Sequence, residues 1–263
     1  LIRLGLLSAL LMLAAESSAH AQAVNVLDQV VSQFQLRSAG WQAGLTSFAI
    51  NTFGILAAID LTWSALRLAF KGADVSEWLA EIVSQILFLG FFLALLQNAV
   101  TWDTAIVNSF RQAASSAGGV GIAPSDVFAA GVKLAATVLS QMSIWHPEAS
   151  AGLIIAGLII EVCFALMAAF MVLALVESYL VISMGVLFMA FGGSRWTKDI
   201  AVSTVRYAVS VGAKLFVLQL LIGIGTGLIQ SWADSFVDVT DASLCILIGC
   251  SIVMLALVKV LPD

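Results

Sequence analysis

The sequence is poor in charge, and this shortage excludes most soluble folds. Only 10% of its 263 residues are charged, while 61% are hydrophobic and the mean hydropathy is +1.07. Soluble domains carry roughly 25% charged residues, so a soluble core of this size would lack its polar surface. An apolar solvent such as the bilayer removes that need. Alternating strands with turn signals are also missing, which argues against an outer-membrane barrel. The predicted fold is therefore all-α: a polytopic transmembrane helical protein.

Histidine is also scarce, and this argues against most catalytic chemistry. The two histidines are His20 and His146, and neither lies in an apolar run where an intramembrane Ser–His protease would need one. Cys163, Cys245 and Cys250 all lie in apolar runs, which is typical of small buried hydrophobes rather than zinc ligands. We therefore predict a protein that is not an enzyme and has no catalytic, cofactor-binding or metal-binding residues.

A concentration of positive charge is missing as well. The net charge is −5, and no basic stripe with interleaved aromatic residues occurs. Sequence-specific nucleic-acid binding therefore has no electrostatic support in this chain.

The first 44 residues predict two segments that precede the main spans. Arg3, a short apolar stretch and an A-H-A sequence ending at Ala21 have the pattern of a secretory signal peptide, so 1–21 is a signal-peptide-like segment. Its apolar stretch is too short to cross a bilayer. Apolar residues then recur at helical spacing from Val24 to Phe34, which predicts a periplasmic amphipathic helix within 22–44.

The apolar runs beyond residue 44 predict about five membrane spans. The first two lie within 45–97, where Lys71 and Gly72 end one helix and Asp74 is a predicted N-cap of the next. The remaining runs fall within 151–263 and are interrupted by the basic loop 194–206.

Residues 98–150 form the longest polar interval. We predict that this region is periplasmic and contains amphipathic helices near 102–114 and 125–143, the second capped by Ser125. As the least hydrophobic part of the chain, it is the predicted surface for partners.

Positive charges set the predicted topology, because they favour the cytoplasmic side. Arg67, Lys71 and the loop 194–206 are therefore predicted to be cytoplasmic, which requires 151–193 to cross the membrane once. The result is five crossings with a periplasmic N-terminus. The alternative is six crossings, with a tight hairpin inside 151–193 and the basic loop outside.

Four ionisable residues fall within or beside the apolar runs: Asp60, Glu161, Glu177 and Lys214. Charged groups in a span are costly and usually face a bundle interior or water. They are candidates either for a transport pathway or for structural pairs, such as Asp60 with Lys214. For Glu177 we favour a structural role at an interface.

Glycines in the fourth apolar run favour close helix packing. Gly223 and Gly227 have the G-x-x-x-G spacing, and Gly212 precedes them. Small residues at this spacing let helix backbones approach each other, so these glycines are candidates for helix packing and oligomer contacts.

Two stretches resemble one known family. Residues 191–225 read FGGSRWTKDIAVSTVRYAVSVGAKLFVLQLLIGIG, and residues 123–135 read APSDVFAAGVKLA. Both are similar to TrbL, the polytopic inner-membrane subunit of conjugative type IV secretion systems, and the similarity covers most of residues 20–232. The signature loop includes Gly192, Gly193, Ser194, Thr197, Lys198 and Asp199.

This resemblance implies a bacterial inner-membrane channel or platform component that supports pilus assembly and the transfer of DNA and protein across the envelope. It implies a homo-oligomeric ring, a pentamer by analogy, that contacts the stalk protein and pilin and lets single-stranded DNA and protein substrate pass. Family members often continue into a hydrophilic Gly/Ser-rich tail beyond the position of Asp263.

Two other functional classes stay open at this point. A small-molecule secondary transporter would have inverted repeats around midplane charges, and no internal repeat is visible here. A purely structural membrane scaffold without a conduit cannot be separated from the channel by sequence.

Overall fold

The computed structural model describes residues 2–117, 123–141, 147–235 and 241–262, and every regular element in these ranges is helical. In chain order they are α1 (Ile2–Lys71), α2 (Val75–Ser116), α3 (Pro124–Leu139), α4 (Pro147–Met189), α5 (Lys198–Ser235) and α6 (Asp241–Val260). A short 3₁₀ helix, Ala190–Gly193, follows α4. The predicted all-α fold is confirmed.

Five helices within the described residues are long and apolar enough to cross a membrane. They cover Val26–Lys71, Val75–Ser116, Gly152–Gly193, Lys198–Gly225 and Ser243–Val260. The helix α4 is continuous from Pro147 to Met189, so the hairpin that six crossings would require does not form. The prediction of about five spans is therefore confirmed.

Proline placement explains where α3 and α4 begin and where α6 ends. The three prolines are Pro124, at the start of α3, Pro147, at the start of α4, and Pro262, just after α6. Proline lacks a backbone N–H and disfavours a helical conformation in the residue before it, so it suits helix starts and sites beyond helix ends.

The structure departs from the sequence prediction in α1, where proline is missing. A single helix runs from Ile2 to Lys71 through the predicted signal segment, the amphipathic helix and the first span. No helix breaker separates these segments, so backbone hydrogen bonding continues through all of them. Side chains before Val26 lie outside the described residues, and the signal peptide stays a prediction.

The polar interval also folds differently from the prediction. The helix predicted near 102–114 is the continuation of α2, which runs to Ser116. The predicted cap Ser125 lies inside α3 instead, and Ala123 is the N-cap. The Asp126 carboxylate accepts a hydrogen bond from the Ala123 N–H at 2.9 Å, so the carboxylate one turn into the helix satisfies this backbone donor.

The turn between α1 and α2 follows from two capping motifs. Gly72 adopts φ +67°, a left-handed conformation that glycine tolerates. Its N–H donates to Ala69 at 3.3 Å and the Ala73 N–H donates to Leu68 at 3.2 Å, which is the Schellman pattern. Asp74 then accepts the Ser76 N–H at 2.7 Å, so the predicted N-cap is confirmed.

The chain divides into two compact units. Unit 1 contains residues 1–33, 111–175 and 214–263. Here α3 lies against α4: a side chain at Gly131 would overlap the Phe164 ring, and a Cβ at Gly157 would lie 3.4 Å from Leu139. The apolar face of α3 is buried through Val127, Leu134 and Val138.

Unit 2 contains residues 34–110 and 176–213. Its core draws side chains from α1, α2, the end of α4 and the start of α5. The core residues are Ala49, Phe53, Ala57, Phe92, Leu96, Ala99, Val186, Met189, Ala190 and Ala201. Four helical segments thus share one apolar core, which holds α1 and α2 against the end of α4 and the start of α5.

The α3–α4 contact in unit 1 predicts a matched pair of variants. Gly131→Leu places its side chain where the Phe164 ring lies and should cost about 1–3 kcal/mol by overpacking. We expect faster hydrogen exchange of the α3 amides in the purified, detergent-solubilised protein. Gly152→Leu, whose Cβ meets open space, is the control. Equal exchange in both variants would contradict the described packing.

Candidate functional site

The candidate site is a buried polar cluster in unit 2, where α1 and α2 meet the loop after α4. At its centre is Asp60, whose side chain is 2% exposed. One carboxylate oxygen accepts a hydrogen bond from the Gln85 amide, and the other accepts one from the Ser194 hydroxyl at 3.2 Å. Asp60 therefore joins α1 to α2 and to the loop through a single buried side chain.

The loop can reach Asp60 because two glycines let it approach the helices. A Cβ at Gly193 would lie 2.5 Å from the backbone carbonyl oxygen of Phe53, and a side chain at Gly192 would overlap the Phe92 ring. The carbonyl is backbone and cannot move aside as a flexible side chain can. The loop can therefore lie this close to α1 only with glycine at position 193.

Hydroxyl groups close the loop on itself. Thr197 donates to the Phe191 carbonyl oxygen at 2.5 Å, and the Ser194 hydroxyl accepts the Trp196 N–H at 3.3 Å. Lys198 then begins α5, and Asp199 lies exposed in its first turn, where a negative charge is favourable. The six signature residues therefore build one compact turn.

An ion-pair cluster lies next to the buried carboxylate. Arg195 donates to Glu81 at 2.8 Å and to Ser84 at 3.2 Å, and its guanidinium carbon is 5.8 Å from the centre of the Phe88 ring. Arg67 is a second partner of Glu81, at 3.5 Å. One carboxylate on α2 thus binds a basic residue from α1 and another from the loop.

An aromatic pair spans the same elements. The rings of Trp63, on α1, and Trp196, in the loop, meet edge to face with centroids 5.6 Å apart. This geometry is favourable for aromatic rings. The end of α1, the start of α2 and the signature loop therefore lie at the same end of unit 2.

The cluster holds together parts of the chain that are distant in sequence. Across the described residues, no group of three or more His, Cys, Asp or Glu side chains could hold a metal ion. His146 lies outside the described residues, as does the His20 side chain. The arrangement instead joins separate helices at a defined geometry.

The structure brings some predicted polar residues into contact. Glu177 accepts a hydrogen bond from the Tyr207 hydroxyl at 2.7 Å, which agrees with a structural role. Glu161 and Lys214 belong to unit 1, whereas Asp60 belongs to unit 2. The pairing of Asp60 with Lys214 and the transport roles of these residues stay predictions.

The predicted glycines have different surroundings. A Cβ at Gly212 would lie 2.5 Å from the Phe110 ring, so this glycine lets α5 pack against α2 within unit 2. A Cβ at Gly227 would meet nothing within 4 Å among the residues that the structure describes. The helix-packing role suits Gly212, and Gly227 is open to a contact from outside the chain.

Sequence reasoning missed the partners of Asp60 and one further buried acid. Gln85 and Glu81 lie 25 and 21 positions after Asp60, and no local pattern links them to it. Asp103 is 1% exposed, and its Oδ2 has no hydrogen-bond partner in the part of the chain that the structure describes. A Cβ at Gly185 would lie 3.0 Å from that oxygen. In the sequence this residue falls inside the amphipathic helix predicted near 102–114, a polar context that does not predict burial.

A family model and two relatives all show similarity to conjugal transfer proteins. The family model described as TrbL/VirB6 plasmid conjugal transfer protein matches residues 57–261. The chain is 32% identical to the probable conjugal transfer protein TrbL of Sinorhizobium fredii (strain NBRC 101917 / NGR234) over 263 residues. It is 33% identical to the conjugal transfer protein TrbL of Rhizobium radiobacter over 226 residues.

The coverage of these relatives is unequal. The first alignment covers 98% of this chain and 67% of the relative, and the second covers 85% of this chain and 57% of the relative. The chain thus spans about three fifths to two thirds of the length of these two relatives.

The central role of Asp60 predicts a loss of stability on its removal. Asp60→Ala leaves the buried Gln85 amide and the Ser194 hydroxyl without their acceptor, which should cost about 1–3 kcal/mol. We expect a lower melting temperature in detergent and faster hydrogen exchange in residues 190–197. The control is Asp199→Ala, an exposed acid whose loss at a helix start costs about 0.3–1 kcal/mol. Similar melting of the two variants would count against the role of Asp60.

Proposed function

The chain belongs to the TrbL/VirB6 family of plasmid conjugal transfer proteins, and we propose that it is an inner-membrane subunit of a conjugative type IV secretion system. Its five apolar helices agree with a membrane component of such a system. In this proposal it supports pilus assembly and the passage of single-stranded DNA and protein substrates. Separate ATPases supply the energy.

The contact of Arg195 with Glu81 is the observation that best supports the membrane topology we propose for this subunit. It holds the signature loop beside the turn between α1 and α2, so two basic segments share one end of unit 2. Positive charge favours the cytoplasmic side of the membrane. The proposed topology therefore has five crossings, with a periplasmic N-terminus and both basic segments in the cytoplasm.

The proposed partner surface in residues 98–150 is the polar side of α3. Its apolar side packs within unit 1, whereas Asp126 and Lys133 on α3, and Ser140 and Gln141 just after it, are exposed. A partner such as the stalk protein or pilin would meet these polar side chains. In this proposal α3 packs its apolar face against its own chain and presents its polar face to the partner.

We further propose a homo-oligomeric ring, a pentamer by family resemblance. Gly227 supports this, since its missing side chain leaves open space on α5 that a neighbouring helix could occupy. Gly223 lies one helical turn earlier on the same helix. A ring would place several copies of α5 around a common axis.

Gly227 gives a direct test of the ring. We expect Gly227→Leu to weaken subunit association about tenfold, since overpacking a close contact costs about 1–3 kcal/mol. The measurement is the fraction of detergent-stable oligomer as the protein is diluted. Gly249→Leu, also facing open space but on α6, is the matched control. Unchanged association of the Gly227 variant would contradict the proposed contact.

A conduit and a pure scaffold differ in whether the substrate touches the subunit. A photo-crosslinking amino acid at Lys133, on the exposed side of α3, or beside Lys214 should label transferred DNA during mating if the subunit lines the route. The control is the same probe at Leu158, an α4 side chain that is 62% exposed. Labelling at the control alone, or at none of the three sites in a transferring strain, would contradict the conduit and favour a scaffold.

A further inference from the structure

A polar side chain faces outward from the middle of the apolar part of α1. Asn51 is exposed, and it lies about midway between the half-exposed Trp41 and Trp63. Tryptophan is enriched at both membrane–water interfaces, and these two are separated by roughly 33 Å at 1.5 Å per residue, close to the thickness of the hydrocarbon core. This spacing places Asn51 near the middle of the bilayer, where lipid chains offer its amide no hydrogen bond.

The Asn51 amide also has no partner within its own chain. Among the described residues, no hydrogen bond reaches it. Other polar groups on the outer sides of α1 and α2 bond to their own helix instead. The Asn98 amide donates to the Ala94 carbonyl oxygen at 2.8 Å, and the Thr52 hydroxyl donates to that of Phe48 at 3.0 Å. An unpaired amide in hydrocarbon is costly, so asparagine at this position predicts a partner from outside the chain.

Small residues surround Asn51 on the same face of α1. At about 100° of rotation per residue, four exposed small residues lie within about 60° of it: Gly44, Ser47, Gly54 and Ala58. Among the described residues, a Cβ at Gly44 or Gly54 would meet nothing within 4 Å. A second helix could therefore come close enough for its side chains to reach the amide.

The chemistry of this face favours a second copy of α1 as the partner. An amide carries both donors and acceptors, so two amides are complementary to each other. Copies inserted with one topology have parallel α1 helices, and parallel helices bring equal positions to the same level, as they do for a buried asparagine in a coiled coil. The neighbouring Phe48 and Ile55 are 61% and 63% exposed, and such apolar side chains do not suit a water-filled channel.

We propose that the α1 helices of neighbouring copies pack through this face, with their Asn51 amides hydrogen-bonded to each other. The proposal rests on the homo-oligomer proposed above and deepens it by assigning a contact in unit 2. The glycines Gly44 and Gly54 would allow the close approach. Asn51 would fix the level at which the copies meet, because a shift along the helix would leave both amides unpaired.

Disulfide crosslinking in membranes tests the contact while Asn51 stays in place. In the full chain with its three native cysteines changed to alanine, Gly54→Cys should give a crosslinked dimer with an oxidant that enters the bilayer. Gly90→Cys is the matched control. It is also an exposed glycine with open surroundings, about midway between Trp78 and Trp102 on α2, and it should stay uncrosslinked.

Dilution of the detergent-stable oligomer tests the amide itself. Asn51→Leu should weaken association about three- to tenfold, the effect of one hydrogen bond between membrane helices. Asn98→Leu, whose amide bonds its own helix, should associate like the wild type.

The outcomes separate this contact from the oligomer itself. A stable oligomer that lacks the Gly54 crosslink, or that dilutes unchanged with Asn51→Leu, would overturn the α1 contact and leave the ring in place. Equal crosslinking at Gly54 and Gly90 would also overturn it. Reaction of Gly54→Cys with a hydrophilic thiol reagent in the assembled oligomer would show that water covers this face instead of a second copy. A monomeric wild type would overturn both proposals.

Discussion

The buried carboxylate of Asp60 is the constraint on which unit 2 depends. A carboxylate removed from water is unfavourable unless its oxygens are bonded, and here the partners come from α2 and from the loop after α4. Neither partner can move away without leaving the carboxylate unsatisfied. The hairpin of α1 and α2 and the end of α4 are therefore positioned together, and the loop glycines supply the space that this approach needs.

The ion pairs of Glu81 join the same helices and loop as the buried carboxylate of Asp60. Glu81 lies one helical turn from Gln85 and binds Arg195 and Arg67, so two basic segments that would repel each other share one acid. Exposed ion pairs contribute little stability on their own. Their value here is geometric, because the buried cluster already fixes the elements that carry them. In the proposed secretion subunit, this would give the loop a constant shape toward other components.

The sequence was sufficient for the fold class and for the helix ends that local chemistry determines. Apolar runs predicted about five spans, and Gly72 with Asp74 predicted the turn between α1 and α2, because capping depends on neighbouring residues. The sequence failed where contacts are distant along the chain. Asp60 and Ser194 are separated by 134 positions, and no local pattern announces such a bond. The sequence also did not predict that α1 is continuous. Composition changes along this helix, which suggested separate segments, but no residue breaks its backbone hydrogen bonds.

In the proposed topology, the turn after α1 and the signature loop lie on the same, cytoplasmic side of the membrane. Alkaline phosphatase fused after Lys71, after Gly193 and after Ser116 tests it, because this reporter is active only when it is exported. We expect no activity after Lys71 or Gly193 and strong activity after Ser116. Activity after Gly193, with none after Lys71, would place the two segments on opposite sides and contradict this topology.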